Sequence, residues 1–282
     1  MEDTFCIHDG GRFAGVFDGH GGSGVSRHTS KNIYDKIIKY RAQFDPSPTS
    51  GPSLGSLVKS IGYAFEELDN EVLDADDFQF QGSTAVAIYM HEDKHTSERT
   101  IISTNIGDSR AVLSRGSVAI DLTRDHKPDD QYEKERILAM GATIEWDEES
   151  QVNRVKSLSL SRAIGDRFAK PVVSGETEIK IFPLDEYATE NEGEDDCIIL
   201  ASDGLWDVFT SQDCADFVKT KLAPSEPQRR NMSRSELLQQ KISRRKNMGR
   251  FLANEAIRRG SFDNICVIVM WLDEPRGKAI SS

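Results

Sequence analysis

The chain has 282 residues, 37% of them hydrophobic and 29% charged, which is ample apolar content for one sizeable core. Its 47 acidic against 35 basic residues leave a net charge of −12, and this argues against general nucleic-acid binding, which needs clustered positive charge to displace counterions. No run approaches the roughly 18 apolar residues of a membrane span, and Cys6, Cys197, Cys214 and Cys266 form no CxxC pair, so free thiols in a reducing, intracellular compartment (cytoplasmic or nuclear) are expected.

Residues 13–17 predict a short apolar strand that stops at Asp18-Gly19-His20-Gly21-Gly22, with a helix after it through Ile33, Ile37 and Ile38. Residues 47–56, rich in Pro, Ser and Gly, predict a loop. Leu54, Leu57, Val58, Ile61, Ala64, Phe65, Leu68 and Val72 recur at steps of three and four and predict an amphipathic helix. Short apolar or β-branched runs at 83–90, 100–106, 110–114 and 118–121, with Gly107-Asp108-Ser109 and Arg115-Gly116 as turns, predict an antiparallel meander. Residues 129–140 predict a charged helix capped by Gly141. The stretch 165–196 is the least regular, a flap-like segment ending in an acidic run. Beyond it come a buried strand at 197–201, a helix from an Ser211 cap to about Leu222, a long helix from the capping box Ser233-Arg234-Ser235-Glu236 to Gly260, and a last strand at 264–271. Strands group together and helices come in pairs, with no βαβ alternation. The fold class is therefore α+β, sheets covered by helices, in one domain over 1–282.

Three apolar strands carry a carboxylate at their mouth: Asp18, Asp203 and Asp263. Taken singly, Asp-Gly and Asp-Asn are turn dipeptides. Together they would converge on one rim, where like charges raise one another's pKa unless cations are present. Oxygen ligands suit Mg²⁺ or Mn²⁺ better than Zn²⁺. Gly19 would let its carbonyl approach a metal, and Gly21 and Gly22 would leave room for a substrate. Arg162 and Asp166 read as a structural pair, and His126 as a structural histidine. The basic segment holding Arg229, Arg230, Arg234, Lys241, Arg244, Arg245, Lys246 and Arg250 reads first as a solvated helix face, with a docking surface or nuclear signal as the functional alternative.

The ordered blocks Met1-Glu2-Asp3, Val16-Phe17-Asp18-Gly19-His20-Gly21-Gly22, Gly82-Ser83-Thr84-Ala85, Asn105-Ile106-Gly107-Asp108-Ser109-Arg110, Asp125-His126-Lys127-Pro128, Leu158-Ser159-Leu160-Ser161-Arg162-Ala163-Ile164-Gly165-Asp166, Leu200-Ala201-Ser202-Asp203-Gly204-Leu205-Trp206-Asp207 and Asp263-Asn264-Ile265 resemble the protein phosphatase 2C family over nearly the whole chain. The resemblance implies an antiparallel β-sandwich flanked on both faces by helices, α-β-β-α. It implies metal-dependent hydrolysis of phosphoserine and phosphothreonine in proteins at a binuclear Mg²⁺ or Mn²⁺ site. By analogy Asp18 bridges the metals, Asp203 and Asp263 bind one, and the Gly19 carbonyl binds the other. Glu2 acts through a metal-bound water, and His20 is the general acid. Asp108 with Asp203 resembles the pair that holds a weaker third metal, against a plain turn role for Asp108.

Two divalent ions sharing one water would make hydroxide available near neutrality for in-line attack on phosphorus. No Cys-x5-Arg pattern surrounds a cysteine, so a cysteine-dependent phosphatase is disfavoured. The competing readings are an inactive family member serving as a binding module, and a hydrolase of small phosphoesters. Phosphoprotein substrates, no nucleic acid, no membrane and a monomeric state are expected. Family members carry a phosphate-binding arginine a few residues before the Met-Glu-Asp block, so the resemblance also implies a natural protein extending upstream of Met1.

Overall fold

A computed structural model describes residues 1–45, 53–116, 118–184 and 196–272. The strands are β1 (Thr4–His8), β2 (Phe13–Phe17), β3 (Gly19–His20), β4 (Gly82–Ser83), β5 (Ala85–Glu92), β6 (Arg99–Ile106), β7 (Arg110–Arg115), β8 (Val118–Asp121), β9 (Glu145–Asp147), β10 (Val152–Arg154), β11 (Ile164–Gly165), β12 (Glu178–Pro183), β13 (Cys197–Ala201) and β14 (Val267–Trp271). The helices are α1 (Gly24–Phe44), α2 (Leu54–Asp74), α3 (Gln131–Ala139), α4 (Asp203–Trp206), α5 (Ser211–Leu222), α6 (Glu226–Asn231), α7 (Arg234–Lys246) and α8 (Met248–Arg258).

Two antiparallel sheets, ordered β1-β2-β5-β6-β12 and β14-β13-β7-β8, stack face to face. Side-chain alternation explains why their strands read as continuous apolar runs. In β5, Val86, Ile88 and Met90 point between the sheets, while Ala85, Ala87 and Tyr89 point to α1 and α2. In β13, Ile198 and Leu200 face the other sheet, while Cys197, Ile199 and Ala201 face the layer built by α5 and α8. Both faces of each sheet are covered, which gives the four layers α-β-β-α. Among the described residues no helix is long and apolar enough to cross a membrane.

The structure departs from the sequence expectation in several places. The four central strands are no simple meander: β6 pairs with β5 and β12, whereas β7 pairs with β13 and β8. Gly107-Asp108-Ser109 therefore carries the chain from one sheet to the other. The interval 165–196 contains β12, an edge strand paired with β6; most of the acidic run lies outside the described residues, as does most of the predicted 47–56 loop, whose last residues begin α2. Thr210, not Ser211, caps α5. The Ser211 hydroxyl donates to Asp121 at 2.5 Å instead. The capping box at Ser233 is present, but the long helix breaks at Asn247 into α7 and α8.

Candidate metal centre and active site

The three strand-mouth carboxylates come from both sheets. Asp18 follows β2, Asp203 opens α4 immediately after β13, and Asp263 precedes β14. Because β2 lies against β13 and β14 across the sandwich, their ends bring Asp18, Asp203 and Asp263 to one cleft of about 310 Å³, also lined by Glu2, Gly19, His20 and Asp108. All seven residues singled out from the sequence thus line a single cleft. It is not the largest one. A groove of about 780 Å³ beside β1 and β14 and a polar one of about 880 Å³ beside Arg12 and Arg41 contain none of these seven, so chemistry and not size selects the site.

The rim is tied together by short polar contacts. The Thr84 amide donates to the Asp18 carbonyl at 2.8 Å, and the Asp18 amide donates to the Thr84 hydroxyl at 3.1 Å. The Thr84 hydroxyl also bonds the Ser109 hydroxyl at 2.7 Å. Gly82-Ser83-Thr84 therefore braces the Asp18 loop. The Glu2 amide donates to the Asn264 side chain at 3.0 Å, and the Ser26 hydroxyl donates to the Glu2 carbonyl at 2.5 Å. A Cβ on Gly19 would stand 2.8 Å from that same Glu2 carbonyl, so only glycine lets the two backbones pass this closely. Asp108 is 2% exposed at the crossover. His126, in the loop beneath, accepts the Gly107 amide on Nδ1 at 3.1 Å, which is the structural role expected of it.

The electrostatics of the rim are unbalanced. Burial, followed by the charges of Asp203, Asp3 and Asp108, pushes the Asp18 carboxyl up to about 10. Burial, followed by Asp108, Asp207 and Asp263, pushes Asp203 up to about 7. One oxygen each of Asp3 and Asp203 is buried with no hydrogen-bond partner. Buried, mutually repelling carboxylates with spare oxygens fit hard divalent cations. Among the described residues no three Asp, Glu, His or Cys side chains already stand grouped around a single point, and the Gly19 carbonyl and water would be needed to complete an ion's oxygen shell.

Sequence reasoning missed four residues. Asp3 is 8% exposed and accepts the Ser202 hydroxyl at 2.8 Å; it stood in the Met-Glu-Asp block beside the chosen Glu2. Asp166 is fully buried and holds His20 Nε2 at 2.7 Å. The expected Arg162–Asp166 pair does not form, because Arg162 instead bonds Glu133 at 2.6 and 2.9 Å. Burial opposes charge on His20, yet the Asp166 hydrogen bond and the charges of Asp166, Asp108 and Glu2 outweigh it and raise its pKa. Gly82 makes this pair possible: a Cβ there would lie 2.3 Å from Asp166 Oδ2 and 2.4 Å from His20 Nε2. Lys127, the third, reaches Asp108 at 3.7 Å. The fourth, Arg154, lines the cleft and is held by Asp147 at 2.7 Å. Gly21 and Gly22 leave no room for a substrate, since Cβ atoms there would meet the Phe80 carbonyl at 2.2 Å and the Gln81 side chain at 2.6 Å.

The family model for protein phosphatase 2C matches residues 8–265. Probable protein phosphatase 2C 69 of Arabidopsis thaliana is 34% identical over 264 residues, which cover 92% of this chain and 61% of the relative. Protein phosphatase 2C 56 of the same plant is 33% identical over 288 residues, covering 99% and 62%. The chain therefore spans about three-fifths of the length of these relatives. Among solved structures, a C. elegans sex determining protein shares the fold with a TM-score of 0.75 at 24% identity, over 96% of this chain and 61% of that one. A serine-threonine phosphatase 2C from Toxoplasma gondii shares it with a TM-score of 0.62 at 22% identity, over 92% and 84%. With the family model matched across both sheets and relatives aligned over nine-tenths of its length, this chain belongs to the protein phosphatase 2C family.

Proposed function

We propose that the chain hydrolyses phosphoserine and phosphothreonine in proteins with two divalent cations, Mg²⁺ or Mn²⁺. The observation that carries this reading is the crowded rim of carboxylates, delivered by both sheets, with Asp18 and Asp203 half-buried and left without enough cationic partners. Asp18 would be shared by the ions, with Asp203 and Asp263 on one side, the Gly19 carbonyl on the other and Glu2 reaching through water. When bound, the ions supply the positive charge that makes hydroxide available near neutrality and that stabilises the transferring phosphoryl group. Asp108 and Asp203 would hold a third ion more weakly, because Lys127 already faces Asp108.

The chain's own side chains do the rest. Ser and Thr alkoxides are poor leaving groups, so the departing oxygen needs a proton. Asp166 favours the charged form of His20, and with Nε2 committed to that carboxylate, Nδ1 is the nitrogen left to donate. Arg154 on the cleft wall adds positive charge for a phosphate dianion. The reading carries with it a monomeric protein in a reducing, intracellular compartment, supported by Cys6, Cys197 and Cys214, which are buried and in no disulfide.

The test is phosphate release from a phosphothreonine peptide, first with EDTA and then with Mg²⁺ or Mn²⁺ restored. No release with EDTA and recovery with either ion is expected. Full turnover in metal-free buffer would overturn the reading.

A further inference from the structure

Two exposed phenylalanines stand beside the cleft with no part in the chemistry above. Phe80 is 65% exposed and Phe168 48% exposed, and their rings lie 6.4 Å apart at a 39° tilt. Phe78, two residues before Phe80, shows the ordinary fate of such a side chain in this stretch: it packs against the core between α1, α2 and the sheet. Phe80 and Phe168 instead pair with each other and remain in water.

The backbone that presents them is the one that builds the His20–Asp166 pair. The Asp166 amide donates to the Gln81 carbonyl at 3.0 Å, joining the residue after Phe80 to the residue two before Phe168. The Ala169 amide donates to the Asp166 carbonyl at 2.8 Å and closes a short turn that carries Phe168. On the other side, the Gln81 side chain accepts the Gly24 amide at 2.8 Å, and Gly21 backs onto the Phe80 carbonyl. Arg167 donates to the Ala75 carbonyl at 2.9 Å and anchors the turn from behind. The backbone that carries both rings is therefore held in place before anything binds, and it continues into Gly82 and Asp166 beside His20 on the proton-donor side of the cleft. Rigid, exposed aromatic surface is the usual anchor of a recognition site, because little ordering is left to be done on contact.

We propose that Phe80 and Phe168 form a platform for an apolar side chain of the phosphoprotein, a few residues from the phosphorylated Ser or Thr. The inference rests on the phosphatase reading, and the occupant follows from continuity: a polypeptide whose phosphate enters the cleft must run on past it, and the two rings stand two residues from Gly82 and Asp166, which pack against His20 of the cleft.

The test compares two phosphothreonine peptides, one with leucines flanking the phosphoresidue and one with serines at the same positions, together with p-nitrophenyl phosphate. The unaltered chain with Mn²⁺ should favour the leucine peptide in kcat/KM by about tenfold, a span that one apolar contact can supply. The double variant Phe80→Ser, Phe168→Ser should lose that preference through KM, with the serine peptide and p-nitrophenyl phosphate unchanged. The double leucine variant, Phe80→Leu, Phe168→Leu, should keep most of it. Equal rates on both peptides with the unaltered chain, or equal losses on both with the serine variant, would overturn the platform while leaving the phosphatase reading standing. Failure of the unaltered chain to turn over any of the three substrates would overturn both.

Discussion

Carboxylates in two regions of this molecule are shifted in opposite directions. Glu133, on α3, is 1% exposed at its side chain and accepts from Arg162, Arg136 and Ser161. Burial works against its charge, but the two guanidiniums and the hydroxyl outweigh it and hold its pKa down to about 2. At the cleft, Asp18 and Asp203 are half-buried, but the charges that act on them most strongly are other carboxylates, and both are pushed up. Arginines neutralise Glu133, which braces structure, whereas Arg154 on the cleft wall is paired with Asp147 and not with Asp18 or Asp203. That difference marks which carboxylates await cations from solution.

The largest effect expected of a single change lies at the cleft. Asp203→Ala and Asp263→Ala should each cut phosphopeptide turnover on the order of a thousandfold, the scale seen when a preorganised electrostatic partner is lost. Neither should lower the melting temperature in EDTA, because each removes an acidic group from a crowded rim. Near-normal turnover in either variant would refute its metal role. Glu133→Gln should do the reverse. It strips the carboxylate from two arginines and should cost about 3–5 kcal/mol in denaturant unfolding, with no recovery when Mn²⁺ is added. Unchanged stability would mean that the pairing is incidental.

The cleft half of this contrast was legible in the sequence. Continuous apolar runs marked the sandwich strands, and the carboxylates at their mouths marked the rim, because strand ends on facing sheets have few places to go. Partner choice was not legible. Asp166 follows Arg162 by four residues, and local spacing suggested that they pair, but the backbone turns between them: Arg162 faces α3, and Asp166, with a φ of 50°, swings toward His20. The crossing at Asp108 was also hidden, since a turn that reverses a strand within one sheet and a turn that changes sheets use the same Gly-Asp-Ser residues. Gly21 and Gly22 read as space for a substrate because a glycine's missing side chain does not say what fills the gap; here it is the backbone of Phe80 and the side chain of Gln81.

Smaller effects sharpen the comparison on the histidine side. His20→Ala should slow phosphothreonine peptides about a hundredfold, within the usual span for a general acid, and should slow p-nitrophenyl phosphate far less, since nitrophenolate leaves without a proton. Equal losses on both would count against proton donation. Asp166→Asn should have the mildest effect, about tenfold on the peptide. Asp166 raises the His20 pKa, so its neutralisation should move the alkaline limb of the peptide rate profile to lower pH. An unmoved limb would reduce Asp166 to a packing role.

The central claim is that the cleft carboxylates are kept for divalent cations, and melting temperature against pH tests it most directly. Asp18 and Asp203 have folded-state pKa values raised from 3.8 to about 10 and about 7. Their contribution to stability is fully present below 3.8 and is lost as pH rises through about 7 and then about 10. Cations that replace those protons should therefore stabilise the protein little at about pH 5 and strongly at about pH 8.5. The account predicts a rise in melting temperature from Mn²⁺ over EDTA that grows with pH and disappears in Asp18→Ala. A rise that is absent, independent of pH, or undiminished in Asp18→Ala would contradict it.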